Sequence, residues 1–162
     1  MKLKDLPASL ITRNETALAH AGLLCRAELR RLPDGRVQAK LWITTRSRAN
    51  ARGTRSERIV SNATQRDQTK YGLVRLLGAP PEGPVVVVMT RFGPGVVDDH
   101  DNLPTALKGP ADGVAAWLGR DDADPSIGWC YRQAVDPVWS VLFEVRRVVR
   151  RPRVVAAALD GG

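Results

Sequence analysis

Apolar and polar residues alternate along "VQAKLWITT" at 37–45. Val37, Ala39, Leu41 and Ile43 fall on one side; Gln38, Lys40, Trp42 and Thr44 fall on the other. A period of two is the mark of a half-buried strand. The period returns in "PVWSVLFEVR", where Trp139, Val141, Phe143 and Val145 alternate with Val138, Ser140, Leu142 and Glu144. "VVVVMT" at 85–90 is a continuous apolar run, which suits a strand covered on both faces. "SIGWCYRQ" reads as a further strand, and Asp136-Pro137 between it and the last one predicts a hairpin.

Elsewhere the period lengthens. A helix is predicted from about Ser56, its cap, to Leu77, with Ile59, Ala63, Thr69, Leu73, Leu76 and Leu77 as a patchy apolar face. A second runs from about Asn102 to Leu118, with a stripe of Leu103, Leu107, Ala111, Val114 and Leu118. "PDGR", "GAPPEGP" and "GRDDADP" are turn signals. The early segment "NETALAHAGLLCRAELRRL" has helical character, with Asn14 as its cap. The order is roughly β-α-β-α-β-β. It predicts an α+β fold, a small mixed sheet with two helices on one face. Residues 1–35 read as an N-terminal extension, 36–146 as the domain, and 147–162 as a basic tail.

The chain has 162 residues, enough for one domain with a real core. Its longest apolar run is strand-sized, so no membrane span is expected, and the polar start broken by Pro7 does not read as a secretory signal. Cys25 and Cys130 stand far apart without CxxC spacing, which argues against zinc and for a reducing cytoplasm. The formal net charge of +8 comes largely from arginine and calls for an anionic partner such as nucleic acid or a membrane surface. Arg46, Arg48, Arg52, Arg55 and Arg58 crowd one loop and the start of a helix.

Against this basic background one stretch is acidic. Residues 96–125 hold Asp98, Asp99, Asp101, Asp112, Asp121, Asp122 and Asp124. Asp99 and Asp101, two apart, share a side if the chain is extended there. Lys108 falls about two turns after Asp101, and its long side chain could approach that pair; Asp112, four residues on, could pair with Lys108. His100 between the acids could serve as a metal ligand or a base, but it reads first as structural, pointing the opposite way. Clustered carboxylates repel, and a hard divalent cation such as Mg²⁺ or Mn²⁺ relieves the repulsion. Such ions serve phosphodiester cleavage, where a nearby lysine neutralises charge on the phosphate. The same acids could instead be ordinary helix caps and turn formers on a solvated surface.

The string Asp99-x-Asp101-Asn102, Lys108, Asp112-Gly113, Leu118-Gly119-x-Asp121-Asp122 resembles the RusA-like family of Holliday junction resolvases, found in bacteria and often on prophages. The likeness is specific over 97–133, weaker over 37–96 and 134–146, and does not reach residues 1–35 or the tail. It implies a homodimeric, Mg²⁺-dependent endonuclease that nicks four-way DNA in pairs during recombination and repair, with Mn²⁺ able to substitute. It implies Asp99, Asp101, Lys108 and Asp122 as catalytic residues. Asp99, Asp101 and Asp122, or Asp121 in its place, would hold the metal. The Arg46–Arg58 loop would grip DNA. Pro110 departs from the pattern by standing inside the predicted helix, so either the helix bends after Lys108 or two short helices meet. A nuclease for other branched DNA and a DNA-binding module without catalysis are the alternatives.

Overall fold

The computed structural model describes Gly22 and residues 24–46, 55–97 and 102–149, with side chains omitted over 55–60. The elements are β1 (Ala27–Arg31), β2 (Val37–Leu41), α1 (Arg55–Leu77), β3 (Val85–Gly93), α2 (Asn102–Ala106), α3 (Lys108–Leu118), β4 (Ile127–Val135) and β5 (Ser140–Arg147). The fold is α+β, one open five-stranded mixed sheet in the order β1-β2-β5-β3-β4. Only β3 and β4 run parallel, joined through α2 and α3. Among the described residues no helix is long and apolar enough to cross a membrane.

The alternation read from the sequence decides which face the helices cover. Ala39 and Leu41 of β2, Val85, Val87 and Met89 of β3, and Val141 and Phe143 of β5 form one core with Leu73 of α1. Leu103, Leu107, Ala111, Val114 and Leu118 join it, so the predicted stripe is the buried one. The other face of β3 is only partly covered, with Val86, Thr90 and Phe92 half-buried. Two glycines set how closely α3 lies on α1. A Cβ at Gly113 would meet the Arg66 carbonyl at 2.5 Å, and one at Gly109 would meet Gln65 Oε1 at 2.5 Å.

Two expectations change, and of the two alternatives at Pro110 the structure has the pair of short helices. Residues 27–31 form a strand, not part of a helix, so the sheet reaches back into the segment read as an extension. Pairing with β2, from Ala27 opposite Leu41 to Arg31 opposite Val37, overrides the local helical tendency. The second helix is two: α2 ends at Ala106 and α3 begins at Lys108. Pro110 thereby lies in the first turn of α3, where its missing N–H is not needed. Finally, β4 and β5 are not a hairpin, because β3 pairs with both. The connection crosses the end of β3, where Gly93 leaves room: a Cβ there would lie 2.5 Å from the Trp139 ring.

Candidate functional site

The loop after α3 is folded by its own polar groups. Gly119, at φ 69°, ends the helix in the left-handed conformation, and Arg120 N–H returns to the Ala115 carbonyl at 3.0 Å. Asp121 Oδ1 accepts from Ala123 N–H at 2.9 Å, and Asp124 Oδ1 accepts from Ser126 N–H at 2.8 Å. Those two acids are turn formers here. Asp122 is different. Its carbonyl accepts from Trp129 Nε1 at 3.1 Å, and its carboxylate faces Lys108.

Lys108 Nζ donates to Asp112 Oδ1 at 2.7 Å and to Asp122 Oδ2. One ammonium therefore joins the first turns of α3 to the loop beyond its far end. Its pKa is raised well above the usual lysine range by the Asp112 and Asp122 hydrogen bonds, which outweigh partial burial. The Lys108 hydrogen bond in turn holds the Asp122 carboxyl below the usual carboxylate range. Tyr131 borders the cluster: burial pushes its phenol up, and the charges of Lys108, Asp122 and Asp112 act on it. The Tyr131 and Trp129 rings stack in parallel, 6.4 Å apart.

The expected site is thus brought together in part. Lys108 and Asp122 meet, and Asp112 joins them as the i,i+4 spacing predicted. Asp121, the alternative to Asp122, spends one oxygen on its turn. Lys108 reaches Asp112 and Asp122, and its expected approach to Asp99 and Asp101 falls outside the described residues. Asp99, His100 and Asp101 lie outside the described residues, between Val97 and Asn102. Among the described residues no group of three or more His, Cys, Asp or Glu is arranged to hold a metal ion. Arg46 is exposed; Arg48 and Arg52 lie outside the described residues, and Arg55 and Arg58 are described only as backbone of α1.

Sequence reasoning missed Arg91, Trp129 and Gln133. Gln133 Nε2 donates to the Val97 carbonyl at 2.6 Å, and its Oε1 accepts from Val97 N–H at 3.0 Å. Arg91, which sits on "RFGPGVV" and looks like a loop cation, is a buried residue of β3. Parity held the signal. Arg91 continues the row Val85, Val87, Met89, and Gln133 continues Ile127, Trp129, Tyr131. A separate concavity of about 630 Å³, lined by Arg36, Pro80, Pro81, Trp117 and Arg147, shares no residue with the Lys108 cluster. No family model matches the chain, and no curated protein or solved structure matches it significantly.

Proposed function

We propose that this chain is a Mg²⁺-dependent endonuclease that resolves four-way DNA junctions as a homodimer, acting on DNA in the cytoplasm. The observation that carries the reading is the meeting of Lys108, Asp112 and Asp122 from two separate segments, on a protein whose charge is +8. Oxygen donors that converge on one positive group fit a hard divalent cation. Asp122, with Asp99 and Asp101, would hold it. Such an ion would supply activation of water and charge for the leaving oxygen. Lys108 neutralises charge on the phosphate. Arg46, Arg48, Arg52, Arg55 and Arg58 bind the DNA arms through their phosphates.

The i,i+4 pairing of Lys108 with Asp112 favours a second reading, in which the acids are structural and the protein only binds DNA. Cleavage decides between them. Labelled four-way junction and matching linear duplex are incubated with the protein, with and without Mg²⁺. The nuclease reading expects paired nicks in the junction, with metal only. Asp101→Asn should slow them at least ~100-fold while metal-free binding stays equal or rises. Asp124→Asn should cut like the parent, because an amide oxygen can still accept from Ser126. Uncut junction, or equal rates for Asp101→Asn and parent, would sink the reading.

A further inference from the structure

β2 pairs with β5 only from Gln38 opposite Glu144 to Leu41 opposite Val141, whereas β3 follows β5 on to Arg147. Val145, Arg146 and Arg147 therefore have a strand neighbour on one side only, and the concavity of about 630 Å³ opens in the gap. Its apolar wall is Leu77, Pro80, Pro81 and Trp117. Side chains from α3 and the turn after it hold that wall at both ends. Trp117 Nε1 donates to the Gly78 carbonyl at 2.9 Å, and Arg120 Nη2 donates to the Pro81 carbonyl at 3.3 Å. Two adjacent prolines, each with φ fixed by its ring, stiffen it further. The concavity is thus pre-formed and of a size that takes a small molecule.

The same concavity holds a charge that packing does not call for. Glu144 is buried, and a valine or threonine on that strand would avoid desolvating a carboxylate. What Glu144 holds is two arginines. Arg36 Nη1, from the turn before β2, and Arg146 Nε, from β5, both donate to Glu144 Oε1, and Gln38 Nε2 donates to Oε2 at 3.1 Å. Two guanidiniums that would otherwise repel are thereby set side by side. These bonds, with Arg36 Nε on Asp34, use only part of each five-donor fork. The two side chains remain 44% and 45% exposed, so other N–H groups are open to a ligand. Arg147 completes the charged lining, and three arginines against one carboxylate leave it a net charge of +2. Asp34 stands outside the lining, half exposed and bonded to Arg36.

We propose that this concavity binds a small phosphate monoester, with its dianion on Arg36, Arg146 and Arg147 and its apolar body against the wall of Leu77, Pro80, Pro81 and Trp117. The site shares no residue with the Lys108 cluster and stands whether or not the nuclease reading holds. Charge selects the ligand class. A monoester carries about −1.5 to −2 at pH 7, which matches the lining. A sulfate ester or a backbone diester carries about −1 and leaves a cation uncompensated. Guanidinium forks also match phosphate oxygens in geometry. Shape agrees, because a concavity with one apolar wall suits a single organic group better than a continuous polymer backbone.

The test is calorimetric titration of the full chain with phenyl phosphate, phenyl sulfate and inorganic phosphate. Phenyl sulfate has nearly the same shape as phenyl phosphate and less negative charge. Phenyl phosphate should bind ~2- to 5-fold more tightly, the size of one extra charge among half-exposed arginines, and more tightly than inorganic phosphate, which lacks the ring. Between about pH 5 and 8 the arginines stay charged. The backbone N–H and guanidinium of Arg36 hold Asp34 low, and Glu144, which burial raises, is held low by Arg146 and Gln38. The monoester gains its second charge near pH ~6, so phenyl phosphate affinity should rise through that pH while phenyl sulfate affinity stays flat. Arg147→Gln, which leaves the Glu144 bonds intact, and Arg146→Gln should each weaken phenyl phosphate by ~2- to 5-fold. Lys108→Met should leave it unchanged. No saturable binding of phenyl phosphate, or equal affinity for the two phenyl esters, would overturn the proposal. So would affinity lost in Lys108→Met and kept in both arginine variants, which would put the probe at the Lys108 cluster. Junction binding that falls in Arg147→Gln while phenyl phosphate affinity does not would also overturn it, because these arginines would then grip DNA phosphates. If Arg146→Gln does not fold, Arg147→Gln decides by the same criteria.

Discussion

Replacing Lys108 by Met should move metal binding and cleavage in opposite directions. Lys108 is shared by Asp112 and Asp122, and the three side chains are 49%, 31% and 40% exposed. Both ion pairs are therefore screened by solvent, each worth ~0.2–1 kcal/mol. A divalent ion that engages Asp122 must first displace the ammonium. Losing the Lys108–Asp122 pair amounts to ~0.2–1 kcal/mol, or roughly 1.4- to 5-fold in an equilibrium constant. Lys108→Met removes that competition, so Mn²⁺ affinity should rise by the same factor. Cleavage should fall by ~100-fold, because the group that neutralises phosphate charge is gone. The Asp122 carboxyl should also titrate higher, since Lys108 is the main cause of its depression. A depressed carboxyl stabilises the fold above its unfolded pKa of ~3.9, and that contribution fades as pH falls through the folded value. In Lys108→Met this acid-sensitive contribution should vanish. Calorimetric Mn²⁺ titration at pH 7, with Asp122→Asn as control, gives the affinity; a junction time course gives the rate. Equal or weaker Mn²⁺ binding in Lys108→Met would refute competition for Asp122.

Two further outcomes follow from the charges. Arg52→Ala with Arg55→Ala should weaken junction binding and flatten the plot of log affinity against log salt, by ~0.9 for each duplex phosphate that is no longer neutralised; an unchanged slope would shift the grip to Arg146–Arg153. Glu144 is 5% exposed, and burial raises its pKa, but hydrogen bonds from Arg146 and Gln38 outweigh that and hold it below the usual range. Its contribution is thus present above ~pH 4.3 and lost as pH falls further. Glu144→Gln should cost ~1–2 kcal/mol at pH 7, kept low because Arg36 and Arg146 still reach water, and the difference from the parent should shrink in melts taken at lower pH.

Much of the fold was legible because burial follows period. Every member of the Leu103–Leu118 stripe is buried, and the row of β2 that begins at Val37 and Ala39 faces the helices. What failed was pairing, which period does not encode. Residues 27–31 became a strand because β2 offered an edge, and β3 came between β4 and β5 although the chain visits it first. In the site, the i,i+4 spacing announced Lys108–Asp112, whereas the Lys108–Asp122 pair depends on the return of the chain after Gly119. Arg91 and Gln133 were hidden by their chemistry, since a charged or amide side chain at a core-facing position is easily assigned to a loop or a solvated face.

The return of the chain also bears on whether one subunit holds a whole acidic set. Trp129 and Gln133 lie on the same face of β4, four residues apart, or ~13 Å at 3.3 Å per residue. The first holds the Asp122 backbone and the second holds Val97. Asp99 follows Val97 by two residues, a reach of up to ~7 Å before its side chain is counted. The backbones of Asp122 and Val97 are therefore both held by side chains of one strand, with Lys108 already on Asp122. Under the nuclease reading, each site should be completed within one protomer, and the dimer would serve to set two sites against opposing strands. Mixing Asp101→Asn protomers with Asp122→Asn protomers tests this. If each site is built from one chain, every site in the mixture lacks one carboxylate, and cleavage should stay at the level of the single variants. If the acids were shared across the two-fold axis, the mixed dimer would contain one intact site and recover a substantial part of single-strand nicking. Recovered nicking after subunit exchange would rule out assembly within one protomer.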